Sequence, residues 1–587
     1  MTAVRPASTV NVQFDVPATM RDGAVLRANV YRPEGSGPWP VLLTRLPYGK
    51  DLPLGVSVLD PVQAARRGYM VVVQDTRGRF RSEGEWYPLI NEGPDGYDSV
   101  EWAASLPGGN GRVGMYGASY FGFTQWAAAR ERPPHLGALF PFITWAEVRD
   151  GTGMRGGAVE LGLQAHWLMQ MTLDPLFRRH AGETDPRGLG ADLMRLAAEL
   201  DNLPHGGYSA LPLREFAPLA RAGALQPFTD VFTRRTDYDY VARASVAPFY
   251  DRLDVPAYHA GGWYDIFLGG TLQNFATLAA HHSAPQKLMI GPWSHVAQGE
   301  MIGDEHFGFR ASTALIDAQI DFMTLQLMWF DRWLRDTPNG MDTTPPIKLF
   351  VMGENVWRYE QEWPLRRAVS TPFYLHSAGG ANTTAGDGLL STRRPDDDSA
   401  DRYVYDPADP VPTLGGPLLI HPAYRPGPRD QAPIEARRDM LVYTTPPLDA
   451  DTEVTGPITV TLWAASTAPD TDFVARLVDV HPDGRAINLT DGIIRARARN
   501  GLQATESLIE PGQVYEYRID LWATSNLFRA GHRIRLDITS SSFPRWDRNP
   551  NTGAPLGEGS DLAPATQTIL HDASHPSHIL LPLVPRD

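Results

Sequence analysis

From residue 40 onward six short apolar runs alternate with helix-length segments, and no other property of this chain restricts its fold as much. The runs cover residues 41–43, 69–74, 113–115, 136–142, 257–260 and 287–290. Continuous apolarity, rather than strict alternation, marks a strand covered on both faces, and strands separated by helices build βαβ units. The expectation is a buried, mainly parallel sheet flanked by helices.

Other patterns bracket that sheet. Segments 10–16 and 25–31 alternate apolar and polar residues around Arg21-Asp22-Gly23, as an antiparallel hairpin does. Between the fourth and fifth runs, residues 146–245 are rich in Leu, Met, Ala and Arg and poor in β-branched residues, which predicts a helical cap. Residues 315–334 place Leu315, Ile316, Ile320, Met323, Leu327, Phe330 and Leu334 at helical spacing, and 347–352 predict one further strand. From about Thr371 short strands separated by Gly, Pro and Asp take over. Ile458, Val460 and Leu462 alternate with threonines, and Ile534, Leu536 and Ile538 alternate with Arg and Asp. Period two of this kind predicts a β-sandwich or jelly roll over the last ~215 residues. Residues 377–400, rich in Gly, Ala, Thr and Asp, read as a long loop.

Composition excludes several functions. At 587 residues the chain exceeds one hydrophobic core. A formal net charge of -15 without clustered Lys and Arg argues against nucleic acid and anionic lipid as partners. There is no cysteine, which rules out disulfides, Cys-ligated zinc, iron–sulfur clusters and thiol catalysis. Residues 1–15 lack the basic start and apolar core of a signal peptide, and no apolar run approaches the ~20 residues that span a bilayer. A cytoplasmic protein that does not enter membranes is expected.

The chemistry sits at strand ends. In Gly114-Met115-Tyr116-Gly117-Ala118-Ser119-Tyr120-Phe121-Gly122 a serine stands between a predicted strand and the helix-forming stretch 124–130. That is the context of a nucleophile elbow, in which Gly117 keeps the turn free of bulk and the N–H of Tyr120 can face an oxyanion. The usual G-x-S-x-G spacing is broken, because Phe121 stands where glycine is expected and Gly122 follows one place later. Asp265 follows the fifth run in Gly261-Gly262-Trp263-Tyr264-Asp265, and His295 follows the sixth in Gly291-Pro292-Trp293-Ser294-His295. Serine, acid and histidine in this order, each just beyond a parallel strand, can converge at one sheet edge. Tyr48, after the first run, occupies the place of a second oxyanion donor.

Three further features carry no site. The loop Asp75-Thr76-Arg77-Gly78-Arg79-Phe80-Arg81 could bind an anion, but acids at Glu83 and Glu85 favour a salt-bridged structural loop. His281-His282 lacks third-ligand spacing, and Asp396-Asp397-Asp398 lacks a calcium-loop pattern, so no metal and no cofactor are assigned.

On these motifs the chain resembles the bacterial cocaine esterase and X-prolyl dipeptidyl-peptidase family of hydrolases. The segment 114–120 followed by Thr124-Gln125-Trp126 is similar to the family's nucleophile region, in which a glycine three places after the serine is usual. Trp263-Tyr264-Asp265, Gly291-Pro292-Trp293-Ser294-His295 and Leu46-Pro47-Tyr48 resemble its acid, histidine and oxyanion-tyrosine segments. The resemblance implies an α/β-hydrolase core (residues 1–145 and 246–365), an inserted helical cap (146–245) and a C-terminal β jelly roll (366–587). It implies a Ser-His-Asp serine hydrolase acting on a small-molecule ester or amide, and a homodimer. Members that bind an α-ammonium group carry a carboxylate cluster near the site. Here Ile266-Phe267-Leu268-Gly269 after the acid is uncharged, which implies an apolar acyl pocket with Phe267 in its wall. The segment 414–420 resembles the jelly-roll edge that touches substrate, which puts Leu419 and Ile420 in the lining, and Trp167 of the cap is a further candidate wall. The alternatives are an X-prolyl dipeptidyl-peptidase, an α-amino acid ester hydrolase or, from another class, a non-catalytic ligand-binding protein.

Overall fold

A computed structural model describes residues 9–501 and 504–586. Residues 1–8, part of the segment read as lacking a signal peptide, lie outside the described residues.

The mainly parallel sheet expected from the apolar runs forms the first half of the molecule and has ten strands. Its strands are β1 (Val10–Thr19), β2 (Val25–Pro33), β3 (Trp39–Leu46), β4 (Met70–Asp75), β5 (Gly109–Ala118), β6 (Leu136–Phe142), β7 (Ala257–Tyr264), β8 (Gln286–Ser294), β9 (Ile347–Val351) and β10 (Val356–Glu360). They lie in the order β1-β2-β4-β3-β5-β6-β7-β8-β9-β10. The seven from β4 to β9 run parallel, and antiparallel partners close both edges. Every residue of β4, β7, β8 and β9 is buried, which is why these strands read as unbroken apolar runs. The N-terminal hairpin turns at Gly23, whose φ of 89° suits glycine.

Helix α1 (Glu92–Ala104) and helix α2 (Ser119–Arg130) pack together on one face. Gly96 permits it: a Cβ there would lie 2.7 Å from the Ala128 Cβ. Between β6 and β7 the chain leaves the sheet and folds a helical layer that includes α3 (Leu161–Met171), α4 (Leu173–Arg179), α5 (Arg187–Asn202) and α6 (Leu225–Thr233). This layer has its own core around Leu168, Met169, Phe216, Phe228 and Phe232.

The last part is the all-β domain that period two predicted. Among the described residues, eleven strands between Val369 and Val584 are hydrogen-bonded into one set. Their inward residues include Val460, Leu462, Leu477, Ile534, Leu536 and Ile538. Among the described residues no helix is long and apolar enough to cross a membrane.

Two details differ from the sequence reading. The helix expected over 315–334 begins only at Phe322 (α7, Phe322–Leu334), because the Asp321 carboxylate accepts the Thr324 N–H at 2.8 Å and caps it. Upstream, Asp317 and Ala318 have φ of 55° and 56°, and Ile316 bridges Ile320, so their apolar spacing belongs to a tight turn. The stretch 377–400 is not all loop: Leu389–Ser391 adds a short strand beside residues 374–376.

Candidate active site

Ser119 stands where β5 ends and α2 begins. Its φ is 56°, a left-handed conformation that non-glycine residues seldom adopt, held by the Ser119 N–H donating to Ile143 O at 3.1 Å and by Thr144 Oγ1 donating to Ser119 O at 2.9 Å. The shifted glycine has a steric cause. A Cβ on Gly117 would meet the Phe121 ring at 2.3 Å, and one on Gly122 would meet the Thr144 Cβ at 2.8 Å. Phe121 therefore covers the turn, and the helix approaches β6 through position 122. Gln125, buried one turn later, donates to Gly117 O, Phe121 O and Phe140 O at 3.1, 3.1 and 3.2 Å and accepts the Phe140 N–H at 3.0 Å. It locks the elbow to the neighbouring strand.

Asp265, fully buried, follows β7. Its Oδ1 accepts the Phe267 N–H at 2.8 Å, and its Oδ2 lies 2.7 Å from His295 Nδ1. The carboxylate is thus oriented by the backbone and presents one oxygen to the imidazole. The Phe267 ring stands edge-on to His295, centroids 5.2 Å apart at 87°. The tryptophans of both motifs are structural: Trp263 Nε1 donates to Phe350 O at 2.7 Å and Trp293 Nε1 to Ala311 O at 2.6 Å.

Tyr48 lies just beyond β3, edge-on to Tyr120 and Phe121. Trp167 of α3 donates its indole N–H to the Tyr48 hydroxyl at 3.2 Å. Burial pushes the Tyr48 phenol up to about 12, with hydrogen bonds to Trp167 and Ser119 and the Arg79 charge pulling the other way. Tyr120 is anchored from behind: its hydroxyl donates to Glu92 Oε1 at 2.8 Å and accepts the Leu89 N–H at 2.9 Å. Burial raises the Glu92 carboxyl, opposed first by Arg45 at 3.0 Å.

The loop 75–81 is structural: the Gly78 N–H donates to Glu83 O at 2.8 Å, but the ion-pair partners are other than Glu83 and Glu85. Arg77 pairs with Asp95 at 2.6 Å and with Asp22 at 2.8 Å. Arg79, buried over the Trp86 ring, donates to Pro47 O and Met171 O, both at 2.9 Å. One guanidinium thus ties the residue before Tyr48 to the end of the helix that carries Trp167.

Ser119 opens onto two spaces. An inner chamber with an open volume of about 60 Å³ is lined by Tyr87, Trp145, Val148, Leu163, Val231, Tyr240 and Phe267, and among the described residues lining it none is charged. An outer vestibule of about 740 Å³ holds His295, Leu54, Phe142, Val296 and Met323. Ser119, Tyr48, Trp167 and Leu419 line both. Phe267, Trp167 and Leu419 lie at the cavity. Ile420 is not: it lines neither space, and its Cγ2 lies 2.6 Å from where a Cβ on Gly162 would stand, so it packs against α3. Trp145, Leu163, Val231, Tyr87 and Tyr240 were missed. Trp145 lies just past β6, and that position beyond a strand end was the available signal.

The family model described as X-Pro dipeptidyl-peptidase (S15 family) matches residues 22–297, and that of the X-Pro dipeptidyl-peptidase C-terminal non-catalytic domain matches residues 339–580. The cocaine esterase of Rhodococcus sp. (strain MB1 Bresler) is 40% identical over 583 residues, covering 98% of this chain and 99% of its own. Among solved structures, an aminopeptidase from a marine sediment Thaumarchaeota archaeon superposes with a TM-score of 0.79 at 24% identity, covering 98% of this chain and 97% of its own. An α-amino acid ester hydrolase gives 0.78 at 24% identity, with 99% and 98% covered. Below 25% identity these two speak for the fold.

Proposed function

The chain belongs to the family of cocaine esterase and the X-Pro dipeptidyl-peptidases, and on that premise we propose that this serine ester hydrolase acts through Ser119, His295 and Asp265 on esters with small apolar acyl groups. One observation carries the reading: Ser119, on a left-handed turn at a strand end, shares its cavity with an imidazole whose Nδ1 lies 2.7 Å from a buried carboxylate.

Asp265 accepts the Nδ1–H of His295, which leaves Nε2 without a proton and able to take one from Ser119. The serine oxygen attacks the ester carbonyl, the Tyr48 hydroxyl and the Tyr120 N–H receive the negative charge, and the imidazolium protonates the departing alkoxide. Water, activated by the same imidazole, then cleaves the acyl-enzyme. The high pKa of Tyr48 suits this role, because the phenol stays protonated and donates throughout the working pH range.

The uncharged inner chamber supports an apolar acyl group over an α-ammonium group, which would bring a buried cation without a partner. The wider vestibule takes the leaving alcohol. The division into core, cap and jelly roll at residues 145, 245 and 365, the cytoplasmic residence and the homodimer stay with this proposal; sedimentation velocity tests the last.

The deciding experiment is p-nitrophenyl butyrate hydrolysis by the protein and its Ser119→Ala variant, with phenylglycine methyl ester as second substrate. We expect butyrate turnover in the wild type and a loss of about 10⁴-fold or more in the variant. Equal rates in both would remove Ser119 from the mechanism. A clear preference for the amino ester would move the reading to an α-amino acid ester hydrolase.

A further inference from the structure

A group of metal-ligating side chains lies apart from the hydrolytic site. Asp479 and His481 flank Val480, the last residue of strand Asp472–Val480, and residues two apart on a strand share a face. Val480 pairs with Arg533 of the antiparallel strand Arg533–Thr539, so continuing that register sets His532 opposite His481. The two imidazole rings stand 4.4 Å apart, and His532 Nδ1 is 2.8 Å from Asp479 Oδ1. One carboxylate oxygen and one nitrogen of each imidazole lie within 4.8 Å of one another, the one such group of three found among the described residues.

The surroundings favour an ion. The three side chains line a cavity of about 170 Å³ whose other walls come from both sides of the junction and include Tyr264, Glu305 and Asn355 on one side and Leu489 and Asn526 on the other. Asn526 Nδ2 donates to Asp479 Oδ2 at 3.3 Å and fixes the carboxylate, as an outer partner does for a metal ligand. The Asn355 Oδ1 is buried without a hydrogen-bond partner.

We propose that Asp479, His481 and His532 form a binding site for a divalent transition ion, Zn²⁺ above all, at the junction of the hydrolase sheet and the jelly roll. Two imidazole nitrogens and a carboxylate oxygen suit Zn²⁺ or Co²⁺, whereas Ca²⁺ and Mg²⁺ prefer an all-oxygen set. The ion takes the place of the proton that His532 shares with Asp479. At His481 it displaces the Arg485 N–H, 3.1 Å from Nδ1, and Arg485 keeps Glu305 at 2.8 Å and Asp483 at 3.0 Å. Its role is to brace the junction. Tyr264, in the cavity wall, directly precedes Asp265, so occupancy also steadies the end of β7.

The test uses untagged full-length protein dialysed against EDTA, with Zn²⁺ affinity read by competition with a chromophoric chelator. One Zn²⁺ per chain is expected, with at least tenfold weaker binding in His481→Gln and in His532→Gln, and a thermal midpoint raised by Zn²⁺ in the wild type alone. Wild-type ester hydrolysis by both variants in metal-free buffer shows that they fold. Equal Zn²⁺ affinity in all three proteins overturns the site. Should the variants fail to fold, the wild type still decides: Co²⁺ loading must give visible d–d bands that one equivalent of Zn²⁺ removes, and their absence overturns the proposal.

Discussion

The indole N–H of Trp167 meets the hydroxyl oxygen of Tyr48 at 3.2 Å, joining the helical insertion to the end of β3. The phenol oxygen accepts this bond, so its own proton is free to point toward a carbonyl oxygen bound at Ser119. Tyr48→Phe should therefore lower kcat about 10²–10³-fold with little change in KM, as loss of one oxyanion donor does. Trp167→Phe, which removes the indole N–H and so leaves the Tyr48 hydroxyl present but unheld, should cost about tenfold or less. Steady-state kinetics on p-nitrophenyl butyrate read both, and an unchanged kcat for Tyr48→Phe would take the residue out of the oxyanion hole.

Arg79 touches neither Ser119 nor His295, yet it holds Pro47 O and Met171 O with one planar group. A lysine has the charge but not the fork. Arg79→Lys is expected to lower kcat about tenfold, and Arg79→Ala more, with KM less affected. Variants with full kcat and only a reduced unfolding temperature would show that the clamp serves stability alone.

The inner chamber should be tunable without touching the chemistry. Leu163 lies in its wall, and Leu163→Trp fills space that an acyl chain would occupy. Hydrolysis of p-nitrophenyl butyrate should fall at least tenfold relative to the acetate, since one methylene in an apolar pocket is worth ~1–3 kcal/mol. If both esters decline together, the acyl group does not enter this chamber.

Acid should destabilise the fold through His259. The ring lies between Trp126 and Phe275, with Nε2 2.8 Å from Gln286 Oε1, and burial lowers its pKa to about 4. The unfolded chain takes up this proton near pH 6.5, whereas the folded chain resists until about pH 4. Stability therefore falls as pH drops through that window, by ~2 kcal/mol at pH 5 from this group. His166, whose pKa is also lowered to about 4, acts in the same direction. His259→Gln should narrow the gap in urea midpoint between pH 7 and pH 5, and an unaltered gap would refute the assignment.

The parallel sheet was legible because strands buried on both faces leave continuous apolar runs, and the order Ser119, Asp265, His295 followed from their places at strand ends. The helix start at Phe322 was not, since Ile316 and Ile320 carry helical spacing while forming a bridge across a turn. Ile420 failed as a wall residue for a related reason: neighbours in an irregular segment point in different directions, and only Leu419 faces the cavity. Phe121 looked like a defect in the glycine pattern until the packing of Gly122 on Thr144 explained it. The chamber wall from Leu163 and Val231 depends on how the helical layer folds back, which no local pattern encodes. His481 and His532, 51 positions apart in the chain, become neighbours through strand register alone.

Leu419 belongs to the jelly roll and yet lines both spaces beside Ser119. The reaction vessel is therefore closed only where the all-β domain meets the hydrolase part, two portions that share one continuous apolar core, and it lasts only while that joint stays shut. Warming that loosens this seam should blur which esters are accepted before it silences the serine, so a drifting substrate profile would give the earliest warning of inactivation.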